Sequence, residues 1–133
     1  MLKWRQNRGS ALPSYDAIIR QLLAQPPQVP AVSAQQVWNI SVAQASQGLT
    51  RMVEKERHPP VSETDMRFIA ENLLRAMWSF EWLSEGTDDR VEPARVLAQS
   101  LREILEGLRH DQAERVTAGV STTDVALKKI FSS

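Results

Sequence analysis

Apolar residues in this chain recur at spacings of three and four positions, which is the period of an α-helix. One run alternates steps of four and three residues, and it consists of Trp38, Val42, Ala45, Leu49 and Met52. This heptad spacing is typical of helices that pack nearly antiparallel in a bundle. Alternating runs of β-branched or aromatic residues, which would indicate strands, are missing from the sequence. The pattern therefore predicts an all-α protein.

Capping residues, prolines and glycines set the bounds of the predicted helices. Ser33 with Gln36, and Ser62 with Asp65, match the capping box that begins a helix. Gly119 is expected to end another helix. The predicted long helices lie near 33–58, 62–85 and 92–117, and the shorter ones near 14–24 and 122–131. Short connections make neighbours antiparallel, so we expect a small helical bundle of three long helices completed by short N- and C-terminal helices.

Length and local composition predict one domain with two irregular segments. A chain of 133 residues suits a single hydrophobic core, so residues 1–133 are predicted to form one helical domain. Residues 1–12 are basic and lack a helical period, which predicts a flexible basic arm. Residues 25–32 contain three prolines and form the predicted linker between the first short helix and the bundle.

The overall composition excludes several classes of protein. The chain has no cysteine, which excludes disulfides, thiolate metal sites and a cysteine nucleophile. Its 16 basic and 16 acidic residues cancel, so net charge gives no attraction to nucleic acid or to a membrane surface. No apolar run reaches the roughly 20 residues of a membrane span. We therefore expect a cytoplasmic protein that does not act at a membrane.

The two histidines are the first candidates for chemistry, because each follows a glutamate by four residues, at Glu54/His58 and Glu106/His110. On a helix this spacing puts both side chains on one face, where two ligands could hold one metal ion. Histidine near a helix C-terminus is also favoured by the helix dipole and by the acid one turn before it. No phosphate-binding loop, nucleophile motif or zinc signature accompanies these pairs. We expect no catalytic residue, no metal and no cofactor.

The segment 62–86 is apolar over more of its circumference than one buried stripe requires. Its core stripe consists of Met66, Ile69, Ala70, Leu73, Met77 and Phe80. Trp78, Trp82 and Phe68 lie roughly 120–200° from Met66, on the arc that should face solvent. Either the short terminal helices cover these rings, or the rings bind a partner.

The second alternative predicts a non-enzymatic protein–protein interaction module, such as an adaptor, regulator or accessory factor. Tryptophan is enriched at binding hot spots, and an apolar patch of this size is seldom left bare. The partner would be the chain itself, as a homodimer, or another protein. The predicted partner-binding residues are Phe68, Trp78, Trp82, Glu81 and Glu85.

A different class of function is indicated by the segment 118–125, AGVSTTDV. It resembles the turn of helix-turn-helix repressors of the lac-repressor type, in which an A-G-V-S run leads into the recognition helix. The resemblance implies a DNA-binding regulator, with a helix-turn-helix-like segment over 112–131 and a basic N-terminal arm. The possible nucleic-acid contacts are Arg5, Arg8, Lys128 and Lys129. A helix-ending glycine followed by a serine cap would give the same letters.

Overall fold

The computed structural model describes residues 14–25 and 32–132. Those residues form five α-helices and no strand, which confirms the predicted all-α bundle. The helices are α1 (Tyr15–Leu23), α2 (Ala34–Arg57), α3 (Glu63–Ser84), α4 (Val91–Arg109) and α5 (Ala113–Ser132). The predicted arm over 1–12, and the linker apart from Gln25 and Val32, lie outside the described residues.

Serine side chains begin the first three helices as the sequence predicts. Ser14 Oγ accepts a hydrogen bond from the backbone N–H of Ala17 at 3.1 Å. Ser33 and Ser62 each form a complete capping box, with Gln36 and Asp65 respectively. Each box satisfies backbone N–H groups that have no partner within the first helical turn, and so it fixes the residue at which the helix begins.

The four long helices run alternately up and down. In the α2–α3 pair, Arg51 contacts Asp65 near one end and the Trp38 ring contacts Phe80 near the other, so these helices are antiparallel. The shorter helix α1 packs against α3 and α4. Close packing extends along α2–α3, α3–α4 and α4–α5, whereas α2 and α5 touch only sparsely. The bundle is therefore open along the α2–α5 side.

The core occupies the space between α1, α3 and α4 and the inner faces of α2 and α5. Leu49 of the heptad run and Ile69, Leu73 and Met77 of the predicted core stripe are buried, and so are Leu101, Ile104 and Leu108 of α4. Trp38 is only partly buried, and its ring meets Phe80 edge-on with the centroids 5.6 Å apart. Helix α1 adds Ile18 and Ile19, which are fully buried although their helix is only nine residues long.

The C-terminal third differs from the prediction. Helix α4 ends at Arg109 rather than near 117, and α5 is one helix from Ala113 to Ser132. Asp111 takes the left-handed conformation, with φ 55°, and the N–H of Gln112 donates to the carbonyl of Gly107 at 2.8 Å. This is the hydrogen bond of a Schellman turn, with aspartate at the position that glycine usually occupies.

Gly119, the predicted helix end, instead lies inside α5, where it meets α4. A Cβ at this position would lie 2.7 Å from Cγ1 of Ile104 and 3.0 Å from the carbonyl oxygen of Ser100. The prediction of a break at Gly119 is therefore wrong. The glycine permits close approach of two helices, and no turn depends on it.

Candidate protein-interaction surfaces

Phe68 belongs to the contact between α2 and α3. The guanidinium carbon of Arg51 lies 4.5 Å from the centroid of its ring, in a cation–π arrangement. Arg51 is itself fixed by Asp65, whose Oδ1 accepts a hydrogen bond from Nη1 at 2.9 Å. Phe68 and Trp82 are also separated by 14 positions, or about 21 Å along the helix. Phe68 and Trp82 therefore do not form one continuous patch.

Trp78 and Trp82 lie one turn apart on α3, and the structure surrounds them differently. Trp78 is partly buried and packs against the core. It also lines a groove that includes Leu22 of α1 and Ile40 and Gln44 of α2. Trp82 retains 39% of its surface in solvent. The terminal helix α1 thus approaches Trp78, and Trp82 is the ring of the predicted surface that stays most open.

The predicted acidic residues Glu81 and Glu85 stand near the C-terminal end of α3. Glu81 forms an ion pair with Arg102 of α4, which ties the two helices together. Glu85 is exposed at the C-cap of α3. Binding of a partner by Glu81 would compete with its ion pair to Arg102. Of Glu81 and Glu85, it is therefore Glu85 that is open to a partner.

The possible nucleic-acid contacts are not brought together as a helix-turn-helix. Arg5 and Arg8 lie outside the described residues. Lys128 pairs with Asp124 one turn before it, at 2.9 Å, and Lys129 is exposed on the same helix. The motif needs two helices and a turn, but residues 113–132 form a single helix. The expected helix-turn-helix-like segment over 112–131 is therefore wrong.

The histidines lie at the ends of helices, as the sequence suggests. His58 is the C-cap residue of α2, and His110 is the C-cap residue of α4. His110 Nε2 lies 3.1 Å from Glu106 Oε2. Across residues 14–25 and 32–132, no three side chains of the metal-binding types cluster around a common point.

Asp65 is the most strongly perturbed carboxylate in the described part of the chain, and its contacts are structural. Burial raises its pKa, but hydrogen bonds from Ser62, Arg51 and Lys55 outweigh that effect and lower the pKa to about 2. The carboxylate accepts from the side chain and backbone of Ser62 and so caps α3. It also draws Arg51 and Lys55 of α2 against the start of α3. Asp65 thus joins two helices.

The sparse contact between α2 and α5 is accompanied by two grooves, one towards each end of the pair, which we together call the open seam. Its walls are Trp38, Val42, Leu49 and Val53 of α2 and Val120, Ile130 and Phe131 of α5. One end is a groove of about 740 Å³ that contains Leu49, Val53 and Val120. The other end, of about 410 Å³, contains Trp38, Val42 and Phe131. Phe131 keeps 65% of its surface in solvent, more than any other large apolar side chain described.

Charge is unevenly distributed along the open seam. Residues 34–50 of α2 contain no charged side chain, and neither do residues 116–123 of α5. The exposed positions at the Trp38 end are the uncharged Asn39, Ala43 and Gln47. At the Val53 end the exposed lining consists of Thr50, Thr117 and Ser121 together with Glu54, Arg57, His58 and Asp124. Helices α3 and α4 carry the ion pairs Glu63–Arg67, Glu71–Arg75, Glu81–Arg102 and Glu92–Arg95. Depletion of charge is a mark of interface surfaces.

A second apolar groove follows the outer side of the α4–α5 pair. It includes Val96 and Val125, both about half exposed. Charged residues border it, among them Arg95, Glu103 and Arg115. Arg115 and Glu103 form an ion pair across the groove, and α4 and α5 already pack tightly beneath it. This groove differs from the open seam in that its two helices are closely packed, whereas α2 and α5 touch only sparsely.

No helix in the described ranges is both long and apolar enough to cross a lipid bilayer. No protein-family model, no curated protein and no solved structure matches this chain.

Proposed function

We propose that this chain is a non-enzymatic protein–protein interaction module and that its binding site is the open seam between α2 and α5. The observation that carries the proposal is the sparse contact between α2 and α5, which leaves grooves with apolar walls between them. Val42 and Leu49 of the heptad run are already buried. The surface left for another molecule consists of the partly buried Trp38, Val53, Val120 and Ile130 and the exposed Phe131.

The partner surface that fits is an apolar helix face whose flanks are uncharged where they meet residues 34–50. Grooves between helices bind amphipathic helices through side chains one or two turns apart. A charged flank on the partner would lose hydration against residues 34–50 without gaining an opposite charge. The exposed Trp82 forms a second apolar surface. Charged residues of α3 and α4 surround it, so it fits a partner with uncharged flanks less well than the open seam does.

The proposal includes binding without catalysis and a cytoplasmic location. The described histidines lie at helix ends, where His110 pairs with Glu106. The strongly perturbed Asp65 is already engaged in capping α3 and in contacts with α2. The contacts of His110 and Asp65 stabilise the fold, which supports binding without catalysis.

Sedimentation of a dye-labelled chain tests the proposal. The sequence has no cysteine, so Thr87→Cys in the exposed α3–α4 connection supplies a single labelling site. The labelled chain is measured both pure and in an extract of its source cells. We expect a species heavier than the 15.0 kDa monomer in at least one of the two conditions. Thr50→Glu beside the seam should abolish that species.

Thr64→Glu is the matched control, because Thr64 is an exposed threonine in the first turn of α3, away from the seam. It should leave the heavier species intact. A chain that sediments as a monomer in both conditions would contradict the interaction function. Loss of the heavier species with Trp82→Glu but not with Thr50→Glu would contradict the seam as its site.

A further inference from the structure

We infer that the occupant of the open seam is a second copy of this chain, bound about a two-fold axis so that each Phe131 enters the other copy's groove at Val53 and Val120. The inference rests on the proposed function, and it names the partner of that same site. Three features of the seam carry it.

The first feature is the position of the most exposed large apolar side chain relative to the larger of the two grooves of the seam. Phe131 lies at the Trp38 end of the seam, and the groove of about 740 Å³ lies at the Val53 end. A two-fold contact between antiparallel seams places each end of one copy against the opposite end of the other. Each Phe131 then contacts Leu49, Val53 and Val120 of the other copy. Both Phe131 side chains are buried in this arrangement, and both grooves are filled.

The second feature is electrostatic. A surface that packs against its own copy must avoid placing like charges opposite one another. The Val53 end carries Glu54, Arg57 and His58, and the two-fold contact sets it against the Phe131 end of the other copy, where residues 34–50 are uncharged. Asp124, at the edge of the groove, forms an ion pair with Lys128 on its own helix. The charged end of each copy thus faces the uncharged part of α2 in the other copy.

The third feature is area. Helices α2 and α5, of 24 and 20 residues, lie side by side and present a face of roughly 30 Å by 20 Å, or about 600 Å² per copy. Two such faces bury about 1,200 Å² in all, which reaches the lower bound for a specific stable interface. The seam is therefore large enough for a dimer without any further surface.

Sedimentation equilibrium of the purified chain over a wide concentration range tests this inference. We expect a monomer–dimer equilibrium that ends at twice the 15.0 kDa monomer mass. Phe131→Ala should raise the dimer Kd at least about tenfold, because truncating an aromatic anchor that fills a groove removes a hot spot. Thr50→Glu should raise it at least about 100-fold, because it places an unpaired charge against the partner.

Circular dichroism of each variant checks that the helices persist, and Thr64→Glu should keep the wild-type Kd. A purified chain that stays monomeric would overturn the dimer. The proposed function still stands if that chain sediments as a heavier species in cell extract and Thr50→Glu abolishes that species. A dimer that ignores Phe131→Ala, or one that Trp82→Glu or Val125→Glu dissociates instead, would overturn the seam-to-seam arrangement. Assembly into open-ended polymers would overturn the two-fold axis.

Discussion

Replacing Gly119 with alanine is expected to destabilise the protein, although alanine is the better helix former. Gly119 lies within α5, where helix propensity alone would favour alanine by about 1 kcal/mol. The new Cβ would lie 2.7 Å from Cγ1 of Ile104, which a rotation of that side chain could relieve. It would also lie 3.0 Å from the backbone N of Ile104 and 3.0 Å from the carbonyl oxygen of Ser100. Only a separation of α4 from α5 relieves those two backbone contacts.

The magnitude follows from opposing these two effects. Overpacking a well-filled helix contact costs about 1–3 kcal/mol, and contacts with backbone atoms belong to the upper part of that range. After subtraction of the gain in helix propensity, we expect Gly119→Ala to lower the free energy of unfolding by about 1–2 kcal/mol. Thr123 adds to the effect, because its hydroxyl lies 2.7 Å from Ser100 Oγ in the same contact.

Urea denaturation followed by far-ultraviolet circular dichroism measures this change. Gly48→Ala is the matched control, because the atoms nearest its Cβ would belong to the side chains of Leu73 and Asn72 rather than to the backbone. We expect Gly48→Ala to cost less than Gly119→Ala. An increase in stability for Gly119→Ala would show that α4 and α5 are not held at the distance on which the reasoning depends.

Three further changes probe the core and its polar contacts. Tyr15→Phe is expected to raise the free energy of unfolding by about 1 kcal/mol, because the buried Tyr15 hydroxyl has no hydrogen-bond partner among the described residues. Thermal or urea unfolding measures the change, and a decrease of similar size in the free energy of unfolding would reveal a partner. Asp65 has a pKa lowered to about 2, so its stabilising contribution is complete above about pH 4 and lost as the pH falls through 2. Unfolding titrations should therefore show a loss of about 2 kcal/mol over that range that Asp65→Asn largely lacks, and an equal loss in both proteins would assign it elsewhere. Leu101→Ala, at a fully buried position, should cost about 2–5 kcal/mol, and a loss below about 1 kcal/mol would mean that the core stripe of α4 is misassigned.

The N-terminal two-thirds of the fold could be predicted because its signals are local. Ser33 and Ser62 form capping boxes within four residues of chain, and the sequence shows both partners of each. The end of α4 was missed because aspartate, not glycine, takes the left-handed position at residue 111. Gly119 was misread because close packing against Ile104 is a tertiary cause, which the neighbouring sequence does not reveal.

The place of the proposed site could not be predicted from the sequence. The heptad run is buried from Val42 to Met52, as its spacing indicates, but spacing alone does not show how closely α5 approaches α2. The feature of the sequence that indicates an interaction surface on α2 is the absence of charge over residues 34–50. The helical pattern places Phe68 and Trp78 on the arc of α3 that should face solvent. In the structure, Arg51 of α2 contacts the Phe68 ring, and α1 approaches Trp78.

Methyl nuclear magnetic resonance of the purified chain at increasing concentration tests the central claim most directly, because it reports which surface meets a partner. The account predicts concentration-dependent shifts for Val53 and Val120, which line the open seam. The methyl groups of Val96 and Val125, on the outer side of α4 and α5, should remain unchanged. Shifts confined to Val96 and Val125, or a spectrum independent of concentration in a chain that sediments as a dimer, would contradict the seam as the interaction surface.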